Sequence, residues 1–146
     1  MAVSRRTVVD NYRKNLYDET LEQLQAFCED HQELTFYGIA FEVDSQTWDV
    51  VVSLNTEFDF YRQRMFHQEN TDKDLSEIIK YDTRTWNYQA IVRCKPVEEQ
   101  LMQKYFANDH QKVIDYTREV SDQILNTCIK KRMNITDDFE NIIKVN

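Results

Sequence analysis

The stretch from residue 35 to residue 55 constrains the fold of this chain more than any other part, because it reads as two β-strands joined by a short turn. In the first run, residues 35–43, apolar side chains occupy both alternating sets of positions, which is typical of a central strand covered on both faces. The alternation predicts one face with Tyr37, Ile39, Phe41 and Val43 and an opposite face with Phe36, Gly38 and Ala40.

The second run, residues 48–55, has an apolar side chain at every second position. That period of two predicts a strand with one buried face. The buried set is Trp48, Val50, Val52 and Leu54, and the opposite set is Asp49, Val51, Ser53 and Asn55. Residues 44–47 are turn formers, so we predict a β-hairpin over about 35–55.

Apolar side chains at three- and four-residue steps predict helices on both sides of this hairpin. We expect a helix over 7–31 that starts within Thr7–Asp10, a helix capped by Thr56 that runs to about His67, a helix from Pro96 to Ala107, a helix from residue 108 or 109 to about Met133, and a short final helix from Thr136. The apolar residues of the helix after Thr56 share one broad face: Phe58, Tyr61, Met65 and Phe66. Residues 68–74 read as a polar loop, and residues 75–81 fit either a short helix or a strand.

The order of these elements predicts an α+β fold. A small antiparallel sheet, built on the central hairpin, is expected to pack against the long N-terminal helix and the C-terminal helices. The chain has one glycine, one proline and no low-complexity tract, so nothing marks a linker between domains. We therefore expect a single domain over residues 1–146.

The net charge of −8 is spread unevenly: −3 over residues 1–33, −5 over residues 34–92 and zero over residues 93–146. Nucleic acids and anionic membranes are bound mainly through clustered lysine and arginine, so this balance argues against both as the principal partner. The acidic excess fits a basic protein partner. The acidic excess fits equally well a domain in which the negative charge has no role in binding and only keeps the protein soluble.

Several features bear on the compartment. No apolar run approaches the roughly 20 residues that cross a bilayer, and the basic start, Met1–Arg6, is not followed by the apolar region of a secretory signal. Cys28, Cys94 and Cys128 lie far apart without C-x-x-C spacing, which favours reduced core thiols. We expect a cytoplasmic protein.

The sequence carries no motif for a metal or cofactor, and we expect neither. His31, His67 and His110 lie far apart and form no pair of ligands at helical spacing. Residues 70–76 begin like a calcium loop, but Leu75 stands where that loop needs glycine and Tyr81 where it needs a bidentate glutamate.

Catalytic motifs are equally scarce. Gly38 is the only glycine, so glycine-rich phosphate loops are excluded. A nucleophilic pair of Cys128 with His110 stays open, because such pairs assemble in space rather than in sequence. Cys128 nevertheless lies on the apolar stripe of its predicted helix, which favours a buried structural thiol.

Residues 78–88 are the most distinctive segment outside the hairpin. They combine Tyr81, Arg84, Trp86 and Tyr88, and these residue types dominate the hot spots of protein interfaces. Packing of the rings in the core is the other interpretation, and the sequence leaves both open.

The order of a long N-terminal helix, the runs Phe36–Phe41 and Val50–Thr56, and the segment Ile79–Tyr88 resembles a family of small bacterial domains of unknown function. The resemblance covers roughly residues 5–125. It implies an immunity or binding role near polymorphic-toxin loci and supplies no catalytic residues. The chain departs from the family pattern at residues 82–85, where a glycine-containing turn is expected.

Two hypotheses follow. The first is a non-catalytic immunity or adaptor protein, which neutralises or binds a protein partner, such as a basic toxin domain, through an acidic surface. Its candidate partner-binding residues are Asp44, Trp48, Asp49, Glu57, Asp59, Asp82, Arg84 and Trp86. The second is a small enzyme or ligand-binding domain with a pocket between helix and sheet, which involves Tyr37, Arg84, Cys94 or His110.

Overall fold

The computed structural model of the protein describes residues 3–68 and 80–146, with side chains omitted at 66–68. The described part contains the helices α1 (Arg5–Asp30), α2 (Glu57–Gln68), α3 (Glu99–Phe106) and α4 (His110–Lys130), and the strands β1 (Thr35–Val43), β2 (Val50–Thr56), β3 (Tyr88–Cys94) and β4 (Asn134–Val145). Three predictions fall largely outside the described residues: the polar loop at 68–74, the undecided segment at 75–81 and the rejected calcium run at 70–76.

The strands form one sheet in the order β3-β2-β1-β4. β1 is an inner strand that pairs antiparallel with β2 and parallel with β4. The predicted α+β class is confirmed, with the hairpin at the centre of the sheet, a long N-terminal helix and helices in the C-terminal half. The sheet is mixed because β4 joins its antiparallel part in the parallel sense.

The final helix predicted from Thr136 is wrong, since residues 134–145 form β4. Phe139, Ile142 and Ile143 have helical spacing, but β1 has a free edge whose backbone groups need a partner strand. In the resulting strand Ile142 pairs with Ala40 and Ile143 pairs with Phe41, so the two isoleucines point to opposite faces. A pairing across some 100 residues of sequence overrides the local pattern.

The main core lies between one face of the sheet and the helices α1 and α4. Ile39, Phe41 and Val52 are completely buried there, together with Leu16 of α1. The predicted stripe of α4 is confirmed as buried: Val113, Thr117, Val120, Ile124 and Cys128. The hydroxyl groups of Tyr12 and Thr117 lie 2.7 Å apart within this core and link α1 to α4.

A bulge at Tyr37 changes which residues of β1 share a face. Phe36 pairs with Thr56 and Gly38 with Asn55, so two steps of β1 match one step of β2. As a result Phe36 packs in the main core, whereas Tyr37 joins Ala40 and Trp86 in a second cluster. The prediction that both faces of β1 are covered is confirmed for residues 36–41, but the faces assigned to Phe36 and Tyr37 were interchanged.

Helix starts differ in detail from the predictions. α1 begins at Arg5, because the hydroxyl of Ser4 accepts a hydrogen bond from the Thr7 amide. The predicted cap at Thr56 is confirmed by the bond from the Asp59 amide to its hydroxyl, at 3.1 Å. α3 begins at Glu99 rather than at Pro96.

The side of α2 that packs on the sheet is opposite to the side that carries most of its apolar residues. Phe60 turns toward the sheet and contacts Tyr37, with ring centroids 5.5 Å apart. Phe58, Tyr61 and Met65 point to solvent. These three apolar residues therefore lie on one face of α2, as predicted, but that face is exposed rather than buried.

Candidate binding groove on the open face of the sheet

The second face of the sheet is only half covered. Near the bulge of β1, Tyr37, Ala40 and Trp86 are buried beneath α2 and the 3-10 turn Thr83–Thr85. Toward the hairpin turn the same face is open, and a hollow of about 360 Å³ lies over it. We call this hollow the open-face groove; its lining includes Glu42, Asp44, Asp49, Arg84, Gln89 and Arg93.

The floor of the open-face groove is a row of residues paired across three strands. Glu42 of β1 pairs with Val51 of β2, and Val51 pairs with Arg93 of β3. On the other side Glu42 pairs with the exposed Lys144 of β4. Directly paired residues of a sheet have adjacent side chains, so the floor carries charges of both signs at fixed spacing.

The hairpin turn forms one wall and is held in shape by Asp44. A carboxylate oxygen of Asp44 accepts hydrogen bonds from the amides of Gln46 and Thr47, at 2.7 and 3.3 Å. The Asp44 carbonyl accepts a bond from the amide of Trp48, whose φ is 62°. A non-glycine residue in this left-handed region is costly and persists only where its surroundings fix it, which the buried Trp48 ring does here.

Arg84 forms the facing wall. Its Nε and Nη2 atoms donate to the two carboxylate oxygens of Asp82, at 2.9 and 2.8 Å. This bond and the further bond from the Arg84 amide hold the pKa of Asp82 below its ordinary value. The Arg84 side chain is 88% exposed, so the N–H groups that Asp82 does not use face solvent.

A bulge in β3 supports this wall. The register between β2 and β3 shifts around Ser53, and Ala90 has a φ of 53°. The amide of Ala90 donates to the Ser53 hydroxyl at 3.0 Å, and Gln89 donates to the Arg84 carbonyl at 2.8 Å. Bulges of this kind re-aim side chains at the rims of sheets.

The charges of the groove are only partly compensated. Asp49 lies 3.8 Å from the ammonium group of Lys95. Within residues 3–68 and 80–146, Glu42 and Asp44 form no ion pair. These two carboxylates are therefore the acidic groups of the groove with most capacity to bind a positively charged group.

The structure brings three of the eight predicted partner-binding residues together, since Asp44, Asp49 and Arg84 all line the open-face groove. Asp82 belongs beside them as the ion-pair partner of Arg84. Glu57 and Asp59 lie at the start of α2, at the opposite end of β2 from the hairpin turn. The Asp59 carboxylate is engaged by the Thr56 hydroxyl at 2.6 Å.

Trp48 and Trp86 do not serve as exposed anchors, because their exposed fractions are 0% and 2%. Each indole N–H has a partner within the chain: Trp48 donates to Gln103 at 3.1 Å, and Trp86 donates to the Lys80 carbonyl at 2.9 Å. A large ring with its polar atom satisfied is a stable core residue, and here the interpretation as core packing is the right one.

Glu42 and Arg93 line the groove but were not among the predicted partner-binding residues. Both carry a sequence signal that could have found them. Glu42 is the only charged residue of β1, and Arg93 is the only charged residue of β3. A charged residue in an otherwise uncharged strand indicates that other elements no longer bury that face of the sheet at this position.

The residues of the alternative pocket do not meet. Tyr37 lies in the second cluster on one face of the sheet, whereas Cys94 belongs to the main core on the other. His110 packs against the edge of Trp48 at the start of α4. Arg84 lies on the groove. His110 and Cys128 are separated by 18 residues of one helix, or about 27 Å at 1.5 Å per residue, so they form no nucleophilic pair.

A second hollow, of about 310 Å³, lies between the C-terminal ends of α1 and α4 and is lined by Cys28, Cys128 and Lys131, among others. Burial raises the pKa of Cys28 to about 12 and that of Cys128 to about 11. Both thiols are therefore protonated at neutral pH and are poor nucleophiles. Across the described residues, no three His, Cys, Asp or Glu side chains are grouped so as to hold a metal ion.

A model of a known protein family matches most of the chain. The model of the domain of unknown function DUF4303 matches residues 15–144. The chain belongs to the DUF4303 family. The resemblance to a domain of unknown function is thereby confirmed, while a link between DUF4303 and toxin immunity stays a proposal. No curated protein and no solved structure matches the chain.

The DUF4303 match includes β1, β2, β3, all of β4 except its last residue, and every residue named above as lining the open-face groove. Among the helices of the described ranges, none is both long enough and apolar enough to cross a bilayer.

Proposed function

We propose that this DUF4303 protein is a non-catalytic binding protein of the immunity or adaptor type. It binds a basic protein partner in the cytoplasm and acts by stoichiometric occupation of that partner. The observation that carries the proposal is the open-face groove, where Glu42 and Asp44 form no ion pair within the described residues and lie beside the exposed Arg84–Asp82 pair.

The form of the groove favours a macromolecular partner over a small substrate. It is a shallow hollow on an uncovered sheet face, whereas small-molecule sites enclose most of their ligand between largely apolar walls. Its named side chains are mostly charged and are supplied by a sheet and two rigid turns. Such a surface suits the rim and polar contacts of a protein interface.

The charges favour a partner with basic groups. Glu42 and Asp44 accept hydrogen bonds from lysine or arginine of a partner, and the net charge of −8 attracts a basic domain over longer distances. Arg84 and Arg93 also line the groove, so the partner must place acidic or carbonyl groups opposite them. Attraction then sets the rate of encounter, and the mixed charges of the groove set its specificity.

The direct test uses, as the partner, the protein encoded immediately upstream of this chain in its native host. Its association rate constant is measured by stopped-flow fluorescence from about 20 to about 300 mM salt. We expect the double substitution Glu42→Gln with Asp44→Asn, which keeps the side-chain oxygen that accepts the turn amides, to slow association at low salt by at least about threefold and to flatten the salt dependence.

The matched control neutralises two exposed carboxylates of α1, Asp10→Asn with Asp30→Asn. It changes the net charge by the same amount on the other side of the sheet, and we expect a much smaller effect. Equal rates for the groove variant and the unmodified protein, or an upstream product that is a metabolic enzyme and does not bind, would refute the proposal.

A further inference from the structure

The outer face of α2 is an apolar stripe that the rest of the described chain leaves uncovered. Phe58, Tyr61 and Met65 are 65%, 59% and 56% exposed. Their spacing of three and four residues places them on one side of the helix, where they form a continuous ridge. Clustered exposure of large apolar side chains is typical of an interaction site, whereas isolated ones are ordinary.

A negative charge lies beside one end of the stripe and a positive charge lies beside the other end. Glu57 lies in the first turn, and Arg64 lies two turns later on the same flank of the stripe. At 100° per residue these two positions differ by only about 20° around the helix. An α2 helix placed antiparallel beside this one brings Glu57 of each copy to Arg64 of the other.

The second flank does not oppose this arrangement. The guanidinium of Arg62 lies over the ring of Phe58 in its own helix, 5.8 Å from the centroid. This contact draws the positive charge toward the N-terminal end of the stripe and away from its middle. Tyr61 is then left at the centre, between Phe58 and Met65.

We propose that two copies of this chain associate through α2, as an antiparallel pair about a two-fold axis at Tyr61. In this pair Tyr61 packs against its own symmetry mate, and Phe58 of each copy packs against Met65 of the other. The contact is isologous, so each copy supplies the same residues and the interface closes as a dimer. The charge pattern favours a second copy as the occupant, because a helix with acid at one end and base at the other complements itself.

The area of the stripe determines the expected affinity of the dimer. Each of the three side chains has about 100 to 130 Å² to bury, given side-chain areas of about 200 Å². Two such stripes fall short of the roughly 1,200 Å² of a standard specific interface. We therefore expect a reversible dimer with a Kd between about 10 µM and 1 mM rather than an obligate one.

The dimer and the partner-binding role stand independently. The stripe is formed by the outer face of α2, whereas the open-face groove lies beyond the 3-10 turn, nearer the hairpin turn. Self-association is measured on the purified chain without any partner. Failure of one proposal therefore leaves the other unaffected.

The experiment is sedimentation equilibrium of the full chain from about 5 to about 500 µM. We expect the unmodified protein to pass from monomer toward dimer across this range. The substitution Tyr61→Glu, which places two negative charges against each other at the axis, should leave it monomeric throughout. The matched control is Ile129→Glu, at another exposed apolar position, 41% exposed on α4, and it should associate like the unmodified chain.

Charge exchange tests the orientation of the two helices. Glu57→Arg alone and Arg64→Glu alone should each weaken the dimer, because each places like charges together. An equimolar mixture of the two single variants should associate at least about as well as the unmodified protein, since both cross-pairs are then of opposite sign. Circular dichroism confirms that each variant is folded.

Three results would overturn the proposal. They are a chain that remains monomeric at the highest concentration, self-association that Tyr61→Glu does not change, and a mixture of the charge variants that associates no better than either alone. The first points to another occupant of the stripe, such as residues 69–79 of the same chain or a different protein.

Discussion

At the scale of single residues, the clearest constraint is the contact between Gly38 and Trp86. A Cβ atom at Gly38 would lie 3.0 Å from Cη2 and 3.2 Å from Cζ2 of the indole. The sequence predicts a covered strand at this position but not which ring covers it. Trp86 lies 48 residues further along the chain, and its indole is fixed by a hydrogen bond to the Lys80 carbonyl.

We expect Gly38→Ala to lower the free energy of unfolding by about 1 to 3 kcal/mol, because the added methyl group overpacks a closed site. Urea denaturation measures the loss. The control is the same substitution in a Trp86→Leu background, where the two nearest ring atoms are gone and the cost should shrink. An equal cost in both backgrounds would show that the indole is not its cause.

The buried thiols make a second prediction at this scale. Burial raises the pKa of Cys94 to about 12, from an ordinary value of 9.0, and raises that of Cys28 to about 12. Thiols of the unfolded chain ionise first as the pH rises, so their contribution to stability is complete below about pH 9 and is lost as the pH approaches 12. Burial raises the pKa of Tyr12 as well, which acts in the same direction.

We therefore expect the free energy of unfolding to fall between about pH 9 and about pH 12. Urea denaturation under reducing conditions at a series of pH values measures the slope. Cys94→Ala should make the decline shallower, whatever its effect on stability at pH 8. A stability that stays constant over this interval would contradict the assignment of protonated, buried thiols.

At the scale of elements, periodicity predicts the helices well because each helix satisfies its own backbone hydrogen bonds. The buried stripe of α4 and the hairpin of β1 with β2 follow directly from local spacing. The strands are less predictable, because a bulge exchanges the two faces and is set by a neighbouring strand. This accounts for the interchange of Phe36 with Tyr37 and for the helix wrongly predicted in place of β4.

The bulge in β3 offers a test at this scale. Ala90 adopts a φ of 53°, which glycine reaches at little cost and alanine does not. We expect Ala90→Gly to raise the free energy of unfolding by about 0.5 to 1 kcal/mol. The control, Ala107→Gly, lies at a φ of −53° and should not stabilise. A loss of stability at Ala90 similar to that of the control would contradict the left-handed backbone there.

At the scale of the whole molecule, the proposed function depends on which surface the fold leaves free. The sequence grouped Asp44, Asp49 and Arg84 as candidates because polar residues in turns are usually exposed, and the structure brings all three to the open-face groove. Their part in binding a partner stays a prediction. The sequence misassigned the anchors, because Trp48 and Trp86 are suited equally to an interface and to a core, and only the packing decides. It did not select Glu42 and Arg93, which also line the groove, although each is the only charged residue of its strand.

We propose that the open-face groove is the surface that meets a partner. Amide chemical shifts of the isotopically labelled chain, followed as the upstream-encoded protein is titrated in, test it most directly. We expect the largest shift changes at Glu42, Asp44, Arg84 and Arg93, with the outer surfaces of α1 and α4 unchanged. Shift changes confined to α1 and α4, with the groove unaffected, would contradict it.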